Sequence, residues 1–289
     1  MNAGQIFRRT RIAPTPSGYL HLGNVLSFAI TASLAKEKNA RIFLRIDDMD
    51  RERTEARYVQ DIFDTLNYLE IPWDEGPRDY EEFQREYSQV HRQGLYREAL
   101  TALQRSGRVF ACTCSRSDIA RLSPDGVYPG TCRTARIPLD TDNTNWRLLT
   151  DPAPLPASVK DFVIRRKDGF FAYQLTSVVD DLFFDVDLVV RGEDLRASTE
   201  AQLYLSQFLP ANTFRDTTFF HHQLLPDTDG EKLSKSAGAL SVQSLRREGK
   251  TPADIYSMIA CMLGSGERIN NYRELGYIAQ LPVGFKSGS

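Results

Sequence analysis

The sequence predicts an α/β protein built on a parallel, doubly wound sheet that an inserted module splits in two. Three observations carry this reading. The first seventy or so residues alternate short apolar strands with amphipathic helices. An interval over 115–160, rich in Pro, Asp, Thr and Ser, then breaks the rhythm. Buried-strand patterns return at 185–192 and 217–225 with a helix between them.

In chain order, RRTRIA (8–13) reads as a strand and VLSFAITASLAKEK (25–38) as a helix ending at Asn39. RIFLRID (41–47) is apolar enough to be a strand buried on both faces. TEARYVQDIFDTLNYL (54–69) is amphipathic at helical spacing, with Thr54 as its N-cap. IPWDEGP (71–77) interrupts, a helix follows over 84–105, and VFACTC comes next. FVIRRKDGFFAYQL (162–175) reads as a hairpin about KDG. DVDLVVRG (185–192) is a buried strand, STEAQLYLSQFL (198–209) a helix starting at Ser198, and TTFFHHQLL (217–225) a last strand. Short helices follow from Pro252. The implied division is 1–75 and 181–240 for the two halves of the sheet domain, 76–180 for the insert and 241–289 for a small helical tail.

The 289 residues are 41% hydrophobic, which supports a buried core and excludes wholesale disorder. No apolar run reaches the ~20 residues of a membrane span, and the N-terminus lacks a signal-peptide core, so a cytoplasmic protein with no membrane partner is expected. Lys and Arg total 36 against 38 Asp and Glu, a net charge of −2, which excludes a generally basic nucleic-acid coat. Local clusters at Arg8, Arg9 and Arg11, at Arg165, Arg166 and Lys167, and at Arg246, Arg247 and Lys250 can still shape an RNA-binding surface. Four cysteines in such a chain do not suggest a disulfide framework. Cys261, in the apolar run IYSMIACML, is expected in the core.

Two segments carry the chemistry. RIAPTPSGYLHLGN (11–24) places His21 between the first strand and the first helix, where open α/β sheets bind ligands. A helix beginning near Asn24 would turn its free N–H groups to the same spot, and Gly18 and Gly23 would admit a ligand close to the backbone. DGEKLSKS (229–236) sets Lys232 and Lys235 among small residues after the last strand, a composition suited to phosphate oxygens.

Together these residues resemble the class I aminoacyl-tRNA synthetases: HLGN matches their HIGH signature and KLSKS their KMSKS. RIAPTPSGYLHLGN, LRIDDMDRER, YQLTSVVDD and RGEDL resemble the glutamyl subgroup, to about residue 245. Too few residues follow KLSKS for a large anticodon-binding region, so the resemblance narrows to the truncated, glutamyl-Q branch. It implies a class I, Rossmann-like fold without an anticodon-binding domain. It implies ATP-dependent activation of L-glutamate without tRNA, and transfer to queuosine in the anticodon loop of tRNA(Asp). His21, Lys232 and Lys235 would be catalytic, and His21, Gly23, Asn24 and Lys235 would hold ATP with its Mg²⁺. Arg11, Ile12, Ala13, Pro14, Thr15, Asp47, Tyr173 and Arg191 would hold glutamate. A monomer is expected.

Asp47 departs from the Glu usual in the family's RIED run, and Asn24 from the signature's second histidine. Asp48 and Asp50 read equally well as capping or ion-pairing residues. Cys112, Cys114 and Cys132 form a soft donor set suited to one structural Zn²⁺, and the resemblance nominates Tyr128 as fourth ligand. The alternatives are glutamyl transfer to a tRNA 3′ end or to a non-tRNA amine, or a catalytically idle RNA-binding relative.

Overall fold

The computed structural model describes residues 6–210, 213–226 and 241–279. In chain order the elements are β1 (Arg9–Ile12), α1 (Leu22–Lys38), β2 (Arg41–Leu44), α2 (Ala56–Tyr68), α3 (Tyr80–Glu82), α4 (Gln93–Arg105), β3 (Val109–Cys112), α5 (Arg116–Leu122), β4 (Asn145–Leu148) and β5 (Val163–Arg165). They continue with α6 (Tyr173–Phe183), β6 (Leu188–Gly192), α7 (Arg196–Ser206), β7 (Thr218–His222), α8 (Val242–Arg247), α9 (Pro252–Met262) and α10 (Tyr272–Ile278). Among the described residues, no helix is long and apolar enough to cross a membrane.

Within those residues the chain forms two compact units. One holds 6–91, 186–194 and 217–279; the other holds 92–185 and 195–216. In the first, β2, β1, β6 and β7 lie in that order and every pairing is parallel. β6 and β7 are buried at every position, as a strand covered on both faces must be. The chain leaves β1 for β2 on one side and returns to β6 on the other, so β1/β6 is the point where strand order reverses. One continuous core joins the sheet to α1, α2, α8, α9 and α10 through Val25, Leu26, Phe63, Leu188, Phe220, Leu245, Tyr256 and Leu275.

α10 crosses α1 at Gly276, where an added Cβ would sit 2.3 Å from the Ser33 Cβ. Gly276→Ala is therefore expected to destabilise the protein by ~1–3 kcal/mol in denaturant unfolding. Adding Ser33→Gly should recover most of that loss, because it removes the clashing atom. At the β2 edge, Glu75 bonds Arg9 and Arg41 at 2.7 Å each and its backbone takes the Leu44 N–H. Gly76 follows at φ +99°, with the Leu44 carbonyl where a Cβ would be.

The second unit carries an antiparallel sheet in the order β3-β4-β5. The expected hairpin over 162–175 is reduced to one bridge, Arg165 to Phe171, and its second half enters α6. Leu175, Val178 and Val179 recur at helical spacing there and are buried, which favours helix over strand. Other expectations are also corrected. Thr54 does not cap α2: Glu55 stands at the cap without a side-chain bond, and the Thr54 hydroxyl donates to the Asp50 carbonyl. The helix over 84–105 is broken before Gln93, because buried Asp48 draws the Ser88 hydroxyl and the Gln89 N–H to itself. That pull, with Phe83 in the core, goes with the grouping of 76–91 in the first unit. α7 starts at Arg196, and the Ser198 hydroxyl instead accepts from Gln174. α7 belongs to the second unit, where Tyr204 donates to the Leu149 carbonyl. Cys261 is exposed, because α9 turns Ile255, Tyr256, Ile259 and Ala260 inward and leaves the next position outside.

Candidate active site

His21 is the N-cap of α1, whose first residue, Leu22, comes two positions before the start expected near Asn24. Its Nδ1 accepts the Gly23 N–H at 3.1 Å, and the Asn24 Oδ1 accepts the His21 N–H at 3.0 Å. The cap thus fixes the tautomer: with Nδ1 accepting, the neutral ring carries its proton on Nε2, the nitrogen turned away from the helix. Gly23 is small for a steric reason, since a Cβ there would lie 3.0 Å from the imidazole. Asn24 closes a capping box, which gives the departure from a second histidine a local role. The exposed imidazole therefore stands as an oriented donor at the positive end of a 17-residue helix.

Arg11 on β1 and Arg191 on β6 flank the point where strand order reverses, and both are buried. Arg11 Nη1 donates to the Val190 carbonyl at 3.3 Å, and the Arg191 guanidinium lies 5.1 Å from the Phe219 ring centroid. Ile12, Ala13, Pro14 and Thr15 run on from β1. The Ile12 and Pro14 carbonyls accept from the Arg45 and Asp47 N–H groups at 2.9 Å each. Asp47 is buried, and Arg45 grips its carboxylate with both arms, at 2.7 and 3.1 Å. The shorter acid is thus drawn onto a buried guanidinium two residues back, just past the end of β2. Asp48 is structural: it takes Ser88, Gln89 and Arg51. Tyr173 opens α6 in the second unit with 41% of its surface exposed.

Lys232 and Lys235 lie outside the described residues. The chain resumes at Ser241, which bridges to His21, and the next N–H, of Val242, donates to the Leu20 carbonyl at 2.8 Å. A cavity of 520 Å³ is lined by Glu193, His221, Gln223 and Ser265, with Leu263, Gly264, Ile278 and Ala279; none of the sequence-predicted residues lines it. Sequence reasoning passed over Arg45 and Asp61. The signals were there: an arginine two positions before an acid on an extended run, and a lone carboxylate in the apolar stripe of α2.

In the second unit, the sulfurs of Cys112, Cys114 and Cys132 lie within 4.8 Å of one another, and those of Cys114 and Cys132 are 3.6 Å apart. Tetrahedral Zn–S bonds of ~2.3 Å place sulfurs about 3.8 Å apart, so the donor set fits that ion in spacing and softness. The Tyr128 phenol oxygen accepts the Cys132 N–H at 2.8 Å, and its ring lies 3.8 Å from the Arg147 guanidinium. Burial raises the Cys114 thiol to about 12, with Cys132 and Cys112 adding to the rise, and burial likewise raises Tyr128. Burial would also raise Cys132, but hydrogen bonds from the Thr113 backbone, Cys114, Tyr128 and Cys112 outweigh it and bring that thiol down to about 7.

Comparison with known proteins accords with this geometry. Residues 8–126 and 135–276 match the family model of tRNA synthetases class I (E and Q), catalytic domain. A glutamyl-Q tRNA(Asp) synthetase of Prochlorococcus marinus is 38% identical over 277 residues, covering 90% of this chain and 84% of that protein. One of Symbiobacterium thermophilum is 34% identical, covering 88% and 86%. The crystal structure of a glutamate tRNA ligase from Elizabethkingia meningosepticum, in complex with its amino acid, shares the fold at a TM-score of 0.71 and 19% identity. That match covers 98% of this chain and 66% of the other.

Proposed function

Because the chain belongs to the class I (E and Q) tRNA synthetase catalytic family, we propose that it activates L-glutamate with ATP and passes it to queuosine in tRNA(Asp). The glutamate α-carboxylate attacks the α-phosphorus of ATP, and pyrophosphate leaves. A hydroxyl of the queuosine ring then attacks the acyl carbon, and AMP leaves. Activation needs no tRNA.

The observation that carries this reading is the bridge between His21 and Ser241. Lys235 is six residues before Ser241, and at ~3.4 Å per residue the intervening chain reaches at most about 20 Å. The bridge sets the residue six positions after Lys235 beside the imidazole, which supports assigning the KLSKS lysines to the same site. His21 Nε2, Lys232 and Lys235 meet the charge that builds on the phosphates, with Mg²⁺ arriving on ATP. Gly23, Asn24 and the α1 N-terminus border the nucleotide. Arg11 and Arg191 bind carboxylate, Ile12–Thr15 line the amino acid with their backbone, Asp47 faces its ammonium, and Tyr173 is the tyrosine that the resemblance assigns to glutamate. Cys112, Cys114 and Cys132, with Tyr128 as fourth donor, would hold zinc, which supplies a structural cross-link and no chemistry at the reacting atoms.

Glutamate-dependent ATP–pyrophosphate exchange without tRNA tests the activation step, and its absence in folded protein would defeat it. Labelling of queuosine-containing tRNA, but not of tRNA lacking queuosine, is expected; equal labelling of both would defeat the acceptor. The Arg45–Asp47 grip adds a further expectation. Asp47→Glu lengthens the acid by one methylene against a fixed fork. It should preserve or tighten glutamate binding as read by KM, and a severe loss would show a pocket built around the shorter acid.

A further inference from the structure

We propose that Asp61 of α2 is a positioning residue for the reaction, anchoring the turn that presents His21 and tying it to helix α8. This rests on the functional reading above, and extends it to a residue remote from the substrates.

The Asp61 carboxylate is buried, 3% exposed, and its Oδ2 accepts the Leu20 N–H at 3.0 Å. The Leu20 carbonyl accepts the Val242 N–H at 2.8 Å. The residue preceding His21 is therefore held on both sides, by α2 through its N–H and by the start of α8 through its carbonyl. Two turns along α2 from Asp61, the Tyr68 ring underlies the Arg246 guanidinium of α8 at 5.0 Å, and its hydroxyl donates to the Lys250 carbonyl. One face of α2 thus grips both the His21 turn and the helix that follows the KLSKS segment.

The carboxylate is a costly choice for this place. A neutral amide would satisfy the Leu20 N–H without burying a charge. Burial raises the Asp61 carboxyl above its ordinary value; Asp64 adds to the rise, while the Leu20 N–H, Arg246 and the Thr65 hydroxyl oppose it. For an acid whose folded pKa is raised, the folded state retains a proton that the unfolded chain has released, so stability falls as pH climbs through that window. At neutral pH the charge therefore opposes folding. The fixed relation between the His21 turn and α8 rests on the Leu20 hydrogen bonds to Asp61 and Val242, and the charged carboxylate is in addition drawn toward Arg246, whose guanidinium sits on the Tyr68 ring of the same helix.

The test compares Asp61→Asn, Arg246→Met and the double variant with the parent chain. Asp61→Asn keeps an acceptor for Leu20 and removes only the charge. Its kcat for glutamate-dependent pyrophosphate exchange is expected to fall about tenfold. KM for glutamate should stay within about twofold and the unfolding midpoint should hold or rise. Arg246→Met, which keeps the stem over Tyr68, should show the same loss, and the double variant should be no worse than either. Parental rates in Asp61→Asn, or losses that track a lowered midpoint, would overturn the proposal. Amide exchange at Leu20 reads the anchor without turnover: it should quicken in Asp61→Ala and stay slow in Asp61→Asn. Fast Leu20 exchange in the parent would overturn the anchor, whereas failure of the parent to catalyse exchange would count against the functional reading alone.

Discussion

His21→Asn is expected to lower glutamate-dependent pyrophosphate exchange about a hundredfold while leaving the unfolding midpoint unchanged. The substitution separates two roles that the imidazole combines. As N-cap of α1, its Nδ1 takes the Gly23 N–H. Asparagine is among the best N-cap residues and supplies the same acceptor, so the helix keeps its start. What asparagine lacks is the second nitrogen, Nε2, which on the proposed reading donates to charge building on the phosphates. A preorganised donor of this kind contributes roughly 3 kcal/mol in the transition state. Lys235→Ala should act in the same way, lowering kcat far more than it raises KM for glutamate. A His21→Asn variant with parental rates would remove the imidazole from the chemistry, and one that fails by unfolding would confine it to capping.

Removing zinc from the proposed cysteine site is expected to unfold the cysteine-bearing part of the second unit. Between β3 and β4 the chain holds the seven-residue α5 and otherwise turns. Its own apolar cluster is Cys112, Tyr128 and Cys132, with Phe110, Cys114, Ile119 and Ile137 packed against it. That is too little to order some thirty residues, each of which costs ~1–2 kcal/mol of backbone entropy to fix. A structural zinc site contributes on the order of 10 kcal/mol, enough to decide the matter. The protein should contain one zinc per chain by elemental analysis, and Cys132→Ser or a strong chelator should abolish it. Proteolysis should then cut selectively between 113 and 144. Metal-free protein with an unchanged midpoint and no new cleavage would contradict the assignment.

Much of this was legible in the sequence, and the exceptions have a common cause. The parallel strands and α1 follow from local apolar patterning, and all lie within a few residues of where that patterning puts them. The misreadings arise where one side chain overrides local propensity from a distance. Asp48 breaks the helix before Gln93 by bonding residues forty positions on. Asn24 departs from the signature's second histidine, and its bond to the His21 N–H gives that departure a capping role that the sequence does not show. β4 hides in a Pro- and Asp-rich interval because only its two antiparallel neighbours make it a strand. At the candidate site, the strand-to-helix position nominated His21 and the family resemblance nominated Arg11 and Arg191, but the Arg45 grip on Asp47 and the Asp61 hydrogen bond to Leu20 are properties of burial, which spacing alone does not report.

The central claim is that His21 and Lys235 serve one nucleotide. The direct measurement is a crystal structure with a non-hydrolysable glutamyl-adenylate analogue. It should place the His21 Nε2 and the Lys235 ammonium on the phosphate side of the same ligand, with its amino-acid end between Arg11 and Arg191. A ligand bound elsewhere, or one that touches His21 while Lys235 points into solvent on another face, would contradict it.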